Sequence, residues 1–298
     1  MPSTYCRSKQ LGVTVLRVAV PNKGSLSSPS IQLLGEAGYR MQREHRALFA
    51  TDADNQVQFV FLRPTDIARN VGTGVLDLGI TGQDLLAEAG TSTSTIELLE
   101  LGFGRSAFSF AAPPGIDSVT ELEGLRVATS FPELARQGAA ACNTTIGVVR
   151  LDGAVETAVE LGLADAIADV VETGSSLRAA GLETIGEPIL RSQAVLVRGE
   201  YLSDSRERSV QVLLHRLRGV LIAREWVMID YNCPTKVLAE ARAVTPGIES
   251  PTVTPLDDHD WVAVRAMVRR PEAQSIMDQL WQVGARAILV TALEACRL

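Results

Sequence analysis

The chain has 298 residues and a formal net charge of −7, with 46% hydrophobic, 21% charged and only 5% aromatic residues. That length can bury a core for two or three domains, and the acidic balance excludes a general nucleic-acid or anionic-membrane surface. Any phosphate-binding site must therefore be local, built from backbone amides and a few chosen Arg or Lys. Cys6, Cys142, Cys233 and Cys296 show no C-x-x-C spacing, which points to free thiols in a reducing compartment. His45, His215 and His259 stand apart from other ligand types, so no protein-held metal is expected. No apolar run reaches membrane-spanning length and residues 1–15 lack a secretory pattern, so a cytoplasmic protein with a loose N-terminal extension is expected.

Leu16–Val20 (LRVAV) reads as a strand running into the turn Pro21-Asn22-Lys23-Gly24. Ser25 is the predicted N-cap of a helix carrying Ile31, Leu33, Leu34 and Ala37 and ended by Gly38. Val57–Leu62 is a second strand, followed by Arg63-Pro64 and a helix from Thr65; Leu76–Ile80 is a third, closing on Thr81-Gly82-Gln83-Asp84. Strands and helices alternating in this way predict βαβ units and a largely parallel sheet. The rhythm restarts near Gly102, with strands at Arg126–Thr129, Gly147–Leu151 and Asp165–Val171 and helices near 132–142 and 153–161. Leu182–Ile185 and Ala194–Val197 bring the chain back. GVLDLGITG (74–82) and GLADAIADV (162–170) share a pattern of Gly, an acid three residues on, then an apolar strand, which suits two similar lobes facing a cleft.

After Ser203 the pattern changes. Residues 205–224 form a helix with Val212, Leu213, Leu217, Val220 and Leu221 on one side. Strand 226–230, a helix opening at Pro234, strands 252–255 and 261–268, helix 272–283 and strand 287–292 follow. That β-α-β-β-α-β order is ferredoxin-like.

The stretch IADVVETGSSL (167–177) sets an acid inside an apolar strand and a hydroxyl-rich Gly turn just after it. Gly174 admits close approach of an anion, Thr173, Ser175 and Ser176 add hydroxyls, and a helix start offers free amides. Asp169, a few residues upstream, suits the hydroxyls of a sugar. Phosphate at one end and a diol at the other describe a phosphoribosyl group; a plain helix cap with a solvent-facing Asp is the competing reading.

Glu156, five residues, Gly162 and then AIADVVETGSSL together resemble the signature of the ATP phosphoribosyltransferase family, the first enzyme of histidine biosynthesis. RVAVPNKG (17–24), FLRPTDI (61–67), LDLGITGQDLL (76–86), RLDGAVE (150–156) and GIESPTVTPL (247–256) carry the resemblance from Leu16 to the C-terminus. Ser176 stands where the family usually has Thr, a loss of one methyl with the hydroxyl kept.

The resemblance implies two periplasmic-binding-protein-like α/β lobes around a cleft plus a C-terminal ferredoxin-like (βαββαβ) regulatory domain. Its bounds would be 1–103 with a return segment at about 190–215, 104–189, and 216–298. It also implies transfer of phosphoribosyl from phosphoribosyl pyrophosphate (PRPP) to N1 of ATP, with Mg²⁺ held mainly through substrate phosphates. Asp169 and Glu156 would be the catalytic carboxylates, and Asp169, Asp152, Gly153 and the turn Thr173, Gly174, Ser175, Ser176 and Leu177 would bind PRPP. Lys23, Gly24, Arg63, Thr81, Gly82 and Arg105 are the implied ATP contacts. Histidine would inhibit through Asp230, Asn232, Thr252 and Ala287, Asn232 standing where the family is expected to carry an acid. A homo-oligomer from dimer to hexamer is implied, with no nucleic-acid or membrane partner. A two-lobed solute-binding protein and an inactive histidine sensor are the rival readings, separated from the enzyme by PRPP binding and by turnover.

Overall fold

The computed structural model describes residues 15–41, 47–91, 94–171, 173–200, 202 and 204–297. The expected N-terminal extension up to residue 14, Cys6 and His45 lie outside these residues. Two compact units emerge: Met1–Gln32 with Arg40–Val210, and Leu33–Tyr39 with Gln211–Leu298.

The first stretch of chain gives β1 (Leu16–Pro21), α1 (Ser27–Glu36), β2 (Phe49–Asp52), β3 (Val57–Leu62), α2 (Pro64–Gly72), β4 (Leu78–Gly82), α3 (Gln83–Glu88) and β5 (Thr95–Glu100). Next come β6 (Ser106–Ala112), β7 (Arg126–Thr129), α4 (Pro132–Ala141), β8 (Gly147–Arg150), β9 (Ala166–Val171), α5 (Ser175–Ala179) and β10 (Glu183–Ser192). β11 (Ala194–Gly199) and α6 (Asp204–Glu225) lead to β12 (Trp226–Pro234), α7 (Leu238–Val244), β13 (Thr252–Pro255), β14 (Trp261–Arg269), α8 (Ala273–Gln282) and β15 (Arg286–Ala292).

Three sheets result, ordered β2-β3-β1-β4-β11-β5, β10-β6-β9-β7-β8 and β13-β14-β12-β15. The first two share one plan. Each contains a parallel trio, β3-β1-β4 and β8-β7-β9, flanked on one side by an antiparallel strand, β11 against β4 and β6 against β9. β6 and β11 are the strands by which the chain passes from one lobe to the other and back. Central strands covered on both faces carry unbroken apolar runs, and Leu16, Val18, Ala19 and Val20 are accordingly fully buried.

The two lobes repeat a specific device. Arg17 N–H donates to Asp77 Oδ2 at 2.8 Å, and Asp77 N–H donates back to Arg17 O at 3.2 Å. In the second lobe Arg126 N–H donates to Asp165 Oδ2 at 3.0 Å, and Asp165 N–H to Arg126 O at 2.8 Å. The sequence echo at 74–82 and 162–170 is thus the entry into β4 and β9, the equivalent third strands of the two trios.

The third sheet is antiparallel throughout, with the strand order of a ferredoxin-like βαββαβ unit. Val227, Ile229, Tyr231 and Cys233 on β12 form its core with Val262, Val264, Ala266 and Val268 on β14, together with Ala273, Ile276 and Leu280 of α8. The alternate residues of β12 and β14 are half-buried or exposed, so the sheet has one open face.

Several expectations are corrected. The first two sheets are mixed rather than largely parallel, because β2, β5, β6, β10 and β11 run antiparallel to their neighbours. Ser25 is not an N-cap: the turn closes by Ser27 N–H to Gly24 O at 3.2 Å and α1 starts at Ser27. The helix expected near 153–161 is a single 3-10 turn, Val155–Thr157, because Gly153 and Ala154 take φ of 105° and 49°, outside the helical region. The strand expected at Leu76–Ile80 runs two residues later, which takes Thr81 and Gly82 into β4.

Gly79 lies where Ile67 and Val71 of α2 press onto β4: a Cβ there would overlap Ile67 Cγ2 and come within 2.8 Å of Val71 Cγ2. Gly79→Val is expected to lower stability by about 1–3 kcal/mol through overpacking. Urea unfolding measures this, and an unchanged midpoint would count against the close packing.

Candidate functional site

The segment that joins β9 to α5 carries the predicted anion turn. Gly174 sits in the left-handed region at φ 68°, ψ 11°, which aims the first amides of α5 outward. Thr173 Oγ1 and Ser175 Oγ share a hydrogen bond at 3.0 Å, and Ser176 is exposed, while Leu177 is buried and anchors the turn to the core below. The surroundings carry a cation. Arg178 donates through Nη2 to Thr173 O at 3.2 Å, and its Nη1 is 3.1 Å from where a Gly174 Cβ would sit. A cavity of about 650 Å³ opens here, lined by Ser109, Val171, Thr173, Gly174, Arg178 and Thr184 among others.

Asp169 is half-buried on β9 opposite Ser109 of β6, and its Oδ1 accepts the Val170 N–H at 2.8 Å. Burial raises its carboxyl above the ordinary carboxylate value, and the Glu156 carboxylate raises it further against the lowering effect of the Val170 N–H. Glu156 reaches this position from the 3-10 turn entered through Gly153 and Ala154; Ala154 holds a left-handed backbone that a non-glycine residue adopts at a cost of about 1 kcal/mol or more. Asp152 points away, exposed and paired with Arg150 at 3.6 Å.

The predicted nucleotide contacts fall into three groups. Lys23, Gly24 and Gly82 line a cavity of about 150 Å³ with Pro64, Phe131 and Val170, so residues of both lobes meet there. Thr81 does not join them: it is fully buried and its hydroxyl donates to Pro64 O at 3.1 Å, tying β4 to the start of α2. Arg63 is exposed immediately before Pro64, the first residue of α2. Arg105 lines a third cavity, of about 400 Å³, with Gln83, Ala107, Val171, Arg191 and Gln193. Arg191 was not legible in the sequence, since only strand register brings it here: Arg191 pairs with Ala107 and Ala107 with Val171, so one row across β10, β6 and β9 carries all three. Neither Arg105 nor Arg191 has a carboxylate partner among the described residues. Asp84 is a helix-start acid in α3, buried beside Ser192; burial raises its carboxyl, opposed by the Ser192 hydroxyl and the Leu85 N–H.

In the third sheet, Thr252 pairs with Arg265 and Arg265 with Asp230, placing these residues in one row of the open face. Arg265 Nε donates to Asp230 Oδ1 at 2.7 Å. Between Asp230 and Asn232 the register with β15 shifts, and Ala287 fills the bulge at φ 50°. Asp230 and Asn232 thus lie on β12 and Ala287 on the neighbouring β15, while Thr252 on β13 is separated from them by β14. Among the described residues no group of three or more His, Cys, Asp or Glu is placed to hold a metal ion, and no helix is long and apolar enough to cross a membrane.

The class these features define is that of two-lobed α/β proteins built around a small anionic ligand, here with an appended ferredoxin-like module. Comparison with known proteins narrows it. A family model described as ATP phosphoribosyltransferase matches residues 63–219, and one described as the HisG C-terminal domain matches 223–295. The ATP phosphoribosyltransferase of Streptomyces avermitilis is 54% identical over 287 residues, which cover 95% of this chain and 100% of the relative. That of an Arthrobacter species is also 54% identical, over 288 residues with the same coverage. The ATP phosphoribosyl transferase (HisG:HisZ) complex from Thermotoga maritima contains a chain that is 27% identical with a TM-score of 0.61, covering 68% of this chain and 97% of its own. The chain belongs to the ATP phosphoribosyltransferase family, in its long form with the C-terminal domain, the pentosyltransferases that catalyse the first step of histidine biosynthesis.

The raised Asp169 carboxyl has a consequence for stability. The folded state holds that proton more tightly than the unfolded chain, so ionisation opposes folding. The penalty is absent below the ordinary carboxylate range, grows as pH rises through that range, and is complete above the folded value. Asp169→Asn is therefore expected to stabilise the ligand-free protein at neutral pH, the gain shrinking as pH falls toward about 4. Paired urea titrations of variant and wild type check this; no difference at neutral pH would refute it.

Proposed function

We propose that the second-lobe turn holds the 5′-phosphate of PRPP and that Asp169 and Glu156 serve the sugar as its pyrophosphate leaves for N1 of ATP. The observation that carries this reading is the left-handed Gly174 turn with Arg178 beside it and a half-buried acid within the strand that feeds it. Amides of Ser175, Ser176 and Leu177 and the hydroxyls of Thr173, Ser175 and Ser176 donate to the phosphate oxygens, and Asp169 accepts from the ribose hydroxyls. Gly153 leaves room for the pyrophosphate beside Asp152. As the bond to pyrophosphate breaks, positive charge grows on the anomeric carbon, and the two carboxylates stabilise it. The nucleophile N1 needs alignment rather than deprotonation, so positioning dominates.

Lys23, Gly24 and Gly82 take the ATP side of the cleft, with Arg63 and Arg105 as phosphate contacts; Arg191 joins Arg105 as a second guanidinium for a polyphosphate. Thr81 supports that group from behind through Pro64. Mg²⁺ would be held mainly through substrate phosphates, with Asp169 and Glu156 the carboxylates nearest to it. Burial raises the Asp169 carboxyl and the Glu156 carboxylate adds to that push, so a cation beside the pair would be favoured. When bound, Mg²⁺ neutralises the departing pyrophosphate.

Histidine is assigned to the third sheet at Asp230, Asn232, Thr252 and Ala287, with Arg265 between Thr252 and Asp230. The open face of that sheet supports assembly of the chain into dimers and hexamers. Residues 1–103 with a return at about 190–215, 104–189, and 216–298 form the three domains in this reading, in a cytoplasmic enzyme with no nucleic-acid or membrane partner.

The test is formation of phosphoribosyl-ATP from ATP, PRPP and Mg²⁺ with pyrophosphatase present, repeated with histidine. Product that falls with histidine is expected. PRPP binding without product would favour an inactive histidine sensor instead. Gly174→Val introduces a strained φ and a side chain against Arg178, and is expected to weaken PRPP binding at least tenfold. Calorimetry measures this, and unchanged affinity would remove the turn from the site. Asp169→Asn is expected to lower kcat by about two orders of magnitude; an unaffected rate would dismiss its role.

A further inference from the structure

Helix α4 of the second lobe begins without a cap of its own. Pro132 is its first residue and Phe131 precedes it with no side-chain hydrogen bond, so the following amides need acceptors from elsewhere. They find them in the other lobe. Glu88, the last residue of α3, accepts Glu133 N–H and Leu134 N–H on Oε2, both at 3.0 Å, and Glu133 N–H also reaches its Oε1 at 3.3 Å. A carboxylate at a helix start gains from the helix dipole as well as from the two hydrogen bonds.

The opposite end of α3 is tied just as directly to Ser192 and Gln193, at the junction from which β11 carries the chain back to the first lobe. Gln83 N–H donates to Gln193 O at 3.2 Å, Gln193 N–H donates to Gln83 Oε1 at 3.3 Å, and Asp84 N–H donates to Ser192 Oγ at 3.1 Å. α3 also continues straight from β4, whose last residue, Gly82, lines the small cavity shared with Phe131 and Val170 of the second lobe. One short helix therefore runs from the crossing strand, past a corner of the cleft, to the start of α4. Any opening of the lobes that separates α3 from α4 must strip Glu88 from two amides.

We propose that Glu88 is a positioning residue: by capping α4 from the other lobe, it holds the lobe closure at which the nucleotide nitrogen meets the anomeric carbon. The proposal rests on the transferase reading above, in which the lobes carry different substrates and the reaction depends on their alignment. A surface cap of ordinary strength changes a closed-to-open ratio about fivefold, enough to read in turnover. PRPP contacts lie within the second lobe, so its binding alone is not expected to depend on Glu88.

The experiment compares Glu88→Ala and Glu88→Gln in the full chain. Its readouts are steady-state kinetics, PRPP calorimetry, urea unfolding and amide exchange at Glu133 and Leu134. Glu88→Ala is expected to lower kcat about fivefold, leave the PRPP dissociation constant unchanged and speed exchange at the two amides. Glu88→Gln keeps an acceptor and is expected to restore the greater part of kcat. Unchanged kcat in Glu88→Ala despite faster exchange would show a purely local cap and overturn the proposal. Parallel losses of kcat, PRPP affinity and urea midpoint would overturn it too, as damage to the second lobe, and so would a Gln variant as slow as Ala. Failure of the transferase reading shows separately, as absence of phosphoribosyl-ATP from the unmutated protein, and takes this proposal with it.

Discussion

Asp77 and Asp165 each accept the backbone N–H of an arginine at the start of the neighbouring parallel strand, and the rest of each lobe is in register from that point. Side chains alternate along a strand, so a register set at its entry decides which residue faces which way at its exit. In the first lobe the exit is Thr81-Gly82, and in the second it is Asp169-Val170. A slip of one residue would hand the position of Asp169 to Ala168 or Val170, whose side chains belong to the apolar cluster around Phe108 and Phe110. The site's acid thus depends on a hydrogen bond at the far end of its own strand. The two anchors differ in their second partner: Asp77 is paired with Arg206 at 2.6 Å and is almost fully buried, whereas Asp165 takes the guanidinium of Arg126 at 2.9 Å on a more open surface.

An acidic chain that handles two polyanions must concentrate its positive potential. In the proposed reading it does so at three places: Lys23 at Gly24, Arg178 at Gly174, and Arg105, just before β6, with Arg191 on β10. At the first two, the glycine lets an anion come close to amides while the cation stands to one side. At the third, two guanidiniums are presented together, one from β10 and one from the segment that leads into β6.

What could be read in the sequence was local in origin. Apolar runs marked β1, β3, β7 and β11, the Gly-acid echo marked the entries to β4 and β9, and the order of elements after residue 226 marked the third sheet. The Thr173–Leu177 turn was legible because a left-handed glycine and its hydroxyl neighbours are adjacent in the chain. The features that escaped are those set by distant partners. β6 (SAFSFAA) sets Phe108 and Phe110 among Ser and Ala that a strand pattern does not single out, and it is buried from Phe108 to Ala112 because it lies inside its sheet, between β10 and β9. Arg191 reaches the cleft only through pairing with Ala107, and Glu88 caps a helix that starts more than forty residues later. Arg178 is close in sequence to Gly174, yet its return to Thr173 O depends on the short helix turning it back. The failed helix at 153–161 has the reverse cause: its composition suits a helix, and two consecutive left-handed residues at its entry prevent one.

The setting of Asp169 is unfavourable for its charge in the ligand-free protein, since the carboxylate is half-buried and the Glu156 carboxylate adds to the upward push. It would also resist PRPP, itself a polyanion. In the proposed reading that resistance has a direction. The 5′-phosphate is gripped at one end by the turn and Arg178, so the substrate binds despite the carboxylates at its centre. The sugar becomes positive only as pyrophosphate departs, and the same carboxylates then turn from a cost into an attraction. An interaction that is repulsive in the ground state and attractive in the transition state lowers the barrier by the difference between the two, which uniform tight binding of the sugar could not do. Glu156 reaches its place through a strained Ala154, and that strain is intelligible on this account: the turn exists to bring a second negative charge beside a first.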